Sequence, residues 1–319
     1  MLEEVRTSCA EVMAHATWVT IRPDRVEAYA ASFTDAERRD PVDRPADPSA
    51  DGSADGPEAR IALVLALDAI NFGSGYHPVV RKRPGCSGAV TMATALREWA
   101  ASAGPITPER LVSLERDDVH RIFDQPDDGG PVRELMGLFT TALHDLGALV
   151  ARSGSFAAFV DAADGSADRL VQQLDEMPFF RDRARHHGRE VLFYKRAQLS
   201  AADLARAFHG GGPGHFHDLD RLTAFADNLV PHVLRIDGVL QFDPALVARI
   251  DREELLTVGS AEEVEIRAAG VHAVELLRDA LAARGHAVRS SRIDELLWLR
   301  GGAPRYKAHP RHRARSVFY

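Results

Sequence analysis

Two cysteines in 319 residues, Cys9 and Cys86, are too few and too far apart for a disulfide framework, and no CxxC pair is present to hold zinc. Positive charge is also in deficit. Lys and Arg number 39 against 47 Asp and Glu, a formal net charge of -8, which argues against a long nucleic acid as the main partner. Long apolar runs are missing. IALVLALDAI at 61–70 is too short to span a bilayer and carries Asp68. The opening MLEEVRTSCAEVMAHATWV is acidic from the start and lacks the basic region and unbroken apolar stretch of a secretory signal. These absences predict a soluble protein of a reducing cytoplasm, with no membrane partner. A small anionic ligand remains compatible with them, because a cleft can concentrate basic residues in an acidic molecule.

At 45% hydrophobic the chain can bury a sizeable core. We expect one unit over 1–319, made of a helical layer at 1–37, a mobile surface loop at 38–59 and the main core at 60–319. Val5, Cys9, Val12 and Met13 recur at helical spacing, as do Val26, Tyr29 and Phe33 after Pro23. The stretch RRDPVDRPADPSADGSADGPEA is rich in Asp, Pro, Gly and Ser and nearly empty of apolar residues.

Helical patterns dominate after Ile61, with further segments expected at 87–100, from Thr107, near 131–151 and near 156–174. Thr107-Pro-Glu-Arg combines a capping residue, proline at the first helical position and an early acid. Strand alternation is scarce. Its best candidates are VEIR at 264–267 and VLQF at 239–242, so the fold class is mainly α with at most a small sheet.

Three constellations could carry chemistry. In FHDLDRLTAFADNLVPHVLRI, Asp218 is expected to cap a helix whose Leu219, Leu222, Phe225 and Ala226 face inward, and Pro231 suits the first turn of the next helix. Asp227 then sits at the joint between two helices, where amide N–H groups favour a carboxylate and a fixed negative charge could stabilise a cationic transition state. Capping alone also accounts for an aspartate at that position. In REVLFYKRAQLSAADL, Lys195 shares a helical stripe with Leu192, Leu199 and Ala202 and would need a carboxylate or a phosphate as partner. The adjacent Phe193 and Tyr194 could stack on a base. The competing reading is a lysine whose stem packs beside core aromatics.

The C-terminal RYKAHPRHRARSVFY gathers Arg305, Lys307, Arg311, Arg313 and Arg315 with three aromatics, and its apolar end favours docking over a loose tail. Gly210 to Gly214 lacks the GK[ST] of a phosphate cradle, and His209, His215, His217 and Asp218 lack a recognised ligand spacing, so no metal is assigned.

FYKRAQLSAADL, FADNLVPHVLRIDGVL, GSAEEVEIRAAGVHAVELL and the final HRARSVFY, in that order, resemble the queuosine salvage protein family, known as queuosine 5′-phosphate N-glycosylase/hydrolase. VRTSCAEVMAHATWVTI, LDAINF and GCSG resemble its N-terminal half, so the resemblance runs nearly end to end with a break at 38–59. It implies a mainly helical, glycosylase-like fold whose core is similar to helix-hairpin-helix DNA glycosylases, with 60–319 as the catalytic core. Asp227 falls on the catalytic aspartate of those enzymes. The implied reaction is hydrolysis of queuosine 5′-monophosphate, a small-molecule substrate, to free queuine for reuse in tRNA modification, with no cofactor. Lys195 would hold the 5′-phosphate, with Arg313 or Arg315 as the next choice. Tyr194, Phe72 and Asn71 would contact the base, and Glu265 would pair with a ligand cation or a neighbouring arginine. A DNA or RNA base glycosylase, or a nucleotide- or queuine-binding protein without catalysis, are the alternatives. The oligomeric state is not fixed by the sequence.

Overall fold

A computed structural model describes residues 1–43 and 56–319. Positions 44–55, the centre of the expected loop, lie outside the described residues. Its downstream flank is shorter than expected, since a helix already begins at Gly56 and runs as Gly56–Ala69. Helices dominate, and the described residues contain two antiparallel sheets of two strands each. No helix among them is long and apolar enough to cross a membrane.

The chain forms two compact units, each assembled from separate segments. The first takes Met1–Arg44, Asp182–Gln198 and Asp218–Arg315. Its axis is the helix Ala261–Ala283, which packs against Leu2–Ala14, Pro23–Ala31, Val230–Ile236 and Ser290–Arg300. Ile266, Ala269, Ala273, Val274 and Leu277 on that helix are buried with Val233, Leu234, Ile293 and Leu297. The second unit takes Pro45–Arg181, Leu199–His217 and Ser316–Tyr319. Its centre is the helix Gly130–Ala151, whose Leu135, Met136, Phe139, Leu143 and Leu146 are buried. Gly147 lets the short helix Pro108–Val112 approach, because a Cβ there would lie 2.6 Å from the Pro108 carbonyl oxygen.

Several helix starts follow their local chemistry. Ser87 and Thr107 accept the amides of Val90 and Arg110 and begin Gly88–Ser102 and Pro108–Val112. VEIR is corrected: Val264–Arg267 belongs to Ala261–Ala283, begun by the Ser260 cap and the early acids Glu262 and Glu263. The VLQF expectation holds, with Leu240–Phe242 paired antiparallel to Val19–Ile21. The other sheet, a hairpin of Arg183–His186 with Arg189–Leu192, was not expected. Its two-residue turn is His187-Gly188, both at positive φ (47° and 78°), as a tight hairpin of the right twist requires.

The segment before Asp227 is also corrected. Only Leu219–Arg221 makes a short turn of helix, Asp218 makes no capping bond, and 222–228 is irregular. Asp227 therefore follows a non-helical strap rather than joining two helices.

Candidate functional site

The strap is irregular because its backbone is bonded by side chains from distant parts of the first unit, as buried peptide groups demand. Thr223 N–H donates to Gln198 Oε1 at 2.8 Å, and Phe225 N–H donates to Asp294 Oδ1 at 2.9 Å. The Ala226 carbonyl accepts from Arg267 Nε at 3.0 Å. Asn228 Nδ2 donates to the His312 carbonyl at 3.1 Å, which ties the C-terminal segment to the strap. Asp227 itself is half-buried. Its Oδ1 accepts the amides of Leu229 (2.8 Å) and Val230 (3.0 Å), at the mouth of the helix Val230–Ile236. Its Oδ2 makes no hydrogen bond among the described residues. The residue thus caps the helix start with one oxygen only.

The Asp227 charge acts on two groups that the sequence did not mark as part of the site. Asp294, buried in Ser290–Arg300, has its carboxyl pushed well above the usual carboxylate range, first by burial and then by the neighbouring Asp227 charge. The Phe225 amide and the Lys195 charge work against that shift. Arg311, half-buried, is drawn below the usual arginine value by burial, and the Asp227 charge opposes the shift. One carboxylate thus stands beside a carboxyl held toward its neutral form, and two cations share its surroundings. A carboxyl raised by burial and by a neighbouring negative charge is a recurrent feature of catalytic sites.

Lys195 is 6% exposed and opens the helix Lys195–Ala207. Leu192 lies in the preceding strand, so the expected helical stripe starts at Lys195. Tyr194, just before it, has φ +48°, a left-handed conformation that is rare for an aromatic residue and costs on the order of 1–3 kcal/mol. The Tyr194 ring is 2% exposed, with the Arg183 guanidinium 5.5 Å from its centroid. Asp182 holds this turn: its carbonyl accepts the amides of Phe193 (3.0 Å) and Tyr194 (3.3 Å), and its Oδ2 accepts Lys195 N–H (3.1 Å).

The remaining expected residues are placed differently. Arg313 pairs with Glu253 at 2.7 Å, and Arg315 is exposed. Glu265 is fully buried, and its partners are backbone amides and a histidine rather than the expected arginine. Its carboxylate accepts the amides of Thr17, Trp18 and Val19 at 2.9, 2.6 and 3.2 Å and faces His186 Nε2 at 3.2 Å, an arrangement that anchors the strand Val19–Ile21. Asn71 and Phe72 belong to the second unit. Asn71 is exposed, and Phe72 is buried edge-on against Phe139 (5.1 Å) and Phe179 (6.0 Å). The C-terminal end is docked there, with Tyr319 buried and its carbonyl accepting Gly73 N–H at 3.0 Å. Among the described residues, no group of three or more His, Cys, Asp or Glu could hold a metal ion.

Comparison with known proteins identifies the family. The sequence profile of the family described as Queuosine salvage protein matches residues 52–319. A protein of Sphaerobacter thermophilus named Queuosine 5′-phosphate N-glycosylase/hydrolase is 39% identical over 324 residues, covering 99% of this chain and 97% of its own. Proteins of the same name from Dictyostelium discoideum and Mus musculus are each 35% identical. They cover 66% and 52% of this chain and 65% and 52% of their own. With most of its length inside the profile and a full-length relative at this identity, the chain belongs to the queuosine salvage protein family.

Proposed function

We propose that this chain hydrolyses the N-glycosidic bond of queuosine 5′-monophosphate and releases queuine, with Asp227 meeting the positive charge that develops on the sugar. The substrate class comes from the shared name of its relatives. The observation that carries the residue assignment is the geometry of Asp227: Oδ1 is fixed by two amides, while Oδ2 is hydrogen-bonded to nothing among the described residues. A negative charge held in place before the reaction stabilises an oxocarbenium-like transition state without having to reorganise. The same carboxylate can orient the attacking water.

Queuine is a 7-deazaguanine, so protonation at N7, the usual purine route to a better leaving group, is closed. More of the barrier must then fall on stabilising the ribosyl cation. Lys195 is our first choice for the 5′-phosphate. Arg311 replaces Arg313 and Arg315 as the second, because Arg313 is engaged by Glu253 and Arg315 is exposed.

The test is to incubate purified protein with queuosine 5′-monophosphate, and in parallel with the unphosphorylated nucleoside, and to separate the products chromatographically. Free queuine from the nucleotide, with slower release from the nucleoside, is expected. Intact nucleotide at high enzyme concentration would contradict the reading.

A further inference from the structure

Lys195 and Asp227 lie on different segments of the first unit, yet one buried ion pair reaches the backbone of Lys195 and of the residue before Asp227. Arg267 Nη2 donates to Asp182 Oδ2 at 2.7 Å, and both side chains are 2% exposed. The same Asp182 oxygen accepts Lys195 N–H at 3.1 Å, and Arg267 Nε donates to the carbonyl of Ala226, the residue before Asp227, at 3.0 Å. We propose that the Arg267–Asp182 pair is a positioning device that sets the Asp227 carboxylate relative to Lys195, and that its loss therefore slows turnover rather than weakening substrate binding. This rests on the reading of Asp227 and Lys195 given above.

Three features favour positioning over simple support. The first is the use of the guanidinium fork. Nη2 grips Asp182, Nε grips the strap, and Cζ lies 4.0 Å from the centroid of the Phe193 ring, so one rigid group touches Asp182, Ala226 and Phe193 together. The second is the strained turn. Tyr194 keeps its left-handed backbone only because its surroundings over-determine it, and Asp182 supplies them through its carbonyl to Phe193 and Tyr194 and through its carboxylate to Lys195. The third is the poor return of a buried ion pair as a stabilising device, since well-packed apolar side chains commonly serve stability as well or better. Glu263, one turn earlier on the Arg267 helix and 3.6 Å from Nη1, adds a second carboxylate that holds the guanidinium in register.

The experiment compares Arg267→Lys and Asp182→Asn with the wild type, using queuosine 5′-monophosphate as substrate, on protein shown to be folded by circular dichroism and thermal melting. Lysine keeps the charge but cannot grip both partners. Asparagine keeps an acceptor for Lys195 N–H but loses the charge that holds Arg267. Both variants are expected to lower kcat roughly 10- to 100-fold with KM within about threefold, since small misplacements of catalytic groups cost that much. The double variant should lose little more than either single one, because the pair acts as a unit.

Tyr29→Phe, which removes a 2.6 Å bond to Asp237 elsewhere in the same unit, is the control: it should lower the melting temperature and leave kcat intact. A kcat within threefold of wild type in folded Arg267→Lys, or losses that track melting temperature as in the control, would overturn the proposal. Asp182→Asn carries the test alone if Arg267→Lys does not accumulate as folded protein. The underlying reading fails separately, through wild-type turnover by Asp227→Asn.

Discussion

Asp294→Asn tests whether the carboxyl beside Asp227 is kept neutral by the fold. Asp294 is buried, its Oδ1 accepts Phe225 N–H at 2.9 Å, and burial together with the Asp227 charge raises its pKa well above the ordinary value. In the unfolded chain an aspartate loses its proton near pH 3.9. Above that pH the unfolded state gives up a proton that the folded state keeps, so stability falls as pH rises, by about 1.4 kcal/mol per pH unit, until the raised folded value is passed. Below pH 3.9 the group is protonated in both states and contributes no slope. Asparagine retains the acceptor for Phe225 but does not titrate. Its extra N–H group, buried without an assured partner, adds a pH-independent cost of about 1–3 kcal/mol. The variant should therefore start less stable near pH 4.5 and gain on the wild type with rising pH.

Urea unfolding followed by circular dichroism at constant ionic strength, in steps from pH 4.5 to 7.5, measures the difference directly. A stability difference that stays constant over that range, or that moves against the variant, would refute a neutral Asp294. The Asp227 charge is the second cause of the shift, so in an Asp227→Asn background the slope should end at a lower pH without vanishing.

His312 and His232 are held below the ordinary histidine value, to about 3 and about 4, in both cases mainly by burial. Both stay neutral in the fold while the unfolded chain protonates, so stability should fall by about 1.4 kcal/mol per group per unit as pH drops below about 6.5. His312→Gln should flatten that fall in urea titrations between pH 7 and 5. Gly147→Ala should cost about 1–3 kcal/mol in the same assay, because the new Cβ meets backbone rather than a side chain that can swing away. Arg311→Met should lower kcat/KM for the nucleotide at least tenfold, while Arg313→Met, which breaks only the contact to Glu253, should stay within about threefold.

The parts of this fold that could be read from sequence are those whose signals are local. Ser87 and Thr107 announce helices because the cap and its amide partner lie three residues apart. The VEIR stretch misleads because a four-residue window with two β-branched residues cannot distinguish a strand from a buried helix, and the deciding cap, Ser260, lies outside it. The hairpin at 183–192 hides behind charged residues and a His-Gly turn, although glycine after histidine was a usable clue.

The strap before Asp227 shows the limit most clearly. Its apolar spacing is helical, yet its backbone is bonded by Gln198, Arg267 and Asp294, partners that no local window contains. For the same reason Asp227 and Lys195 could be singled out, whereas Asp182, Arg267 and Asp294 could not: their roles exist only once distant segments meet. Arg311 was visible within the basic C-terminal cluster, but it is set apart only by the Glu253 partner that engages Arg313 and by the exposure of Arg315.

The central claim is that the charge of Asp227 drives the cleavage. The measurement that addresses it most directly is the single-turnover rate of queuine release from queuosine 5′-monophosphate by Asp227→Asn and by the wild type, both shown to be folded and to bind the nucleotide. Asparagine can still accept the Leu229 and Val230 amides, so it preserves the cap and removes only the charge. A loss of at least about 100-fold with nucleotide binding retained is expected. Release within threefold of wild type would contradict it and leave Asp227 as the cap of a helix.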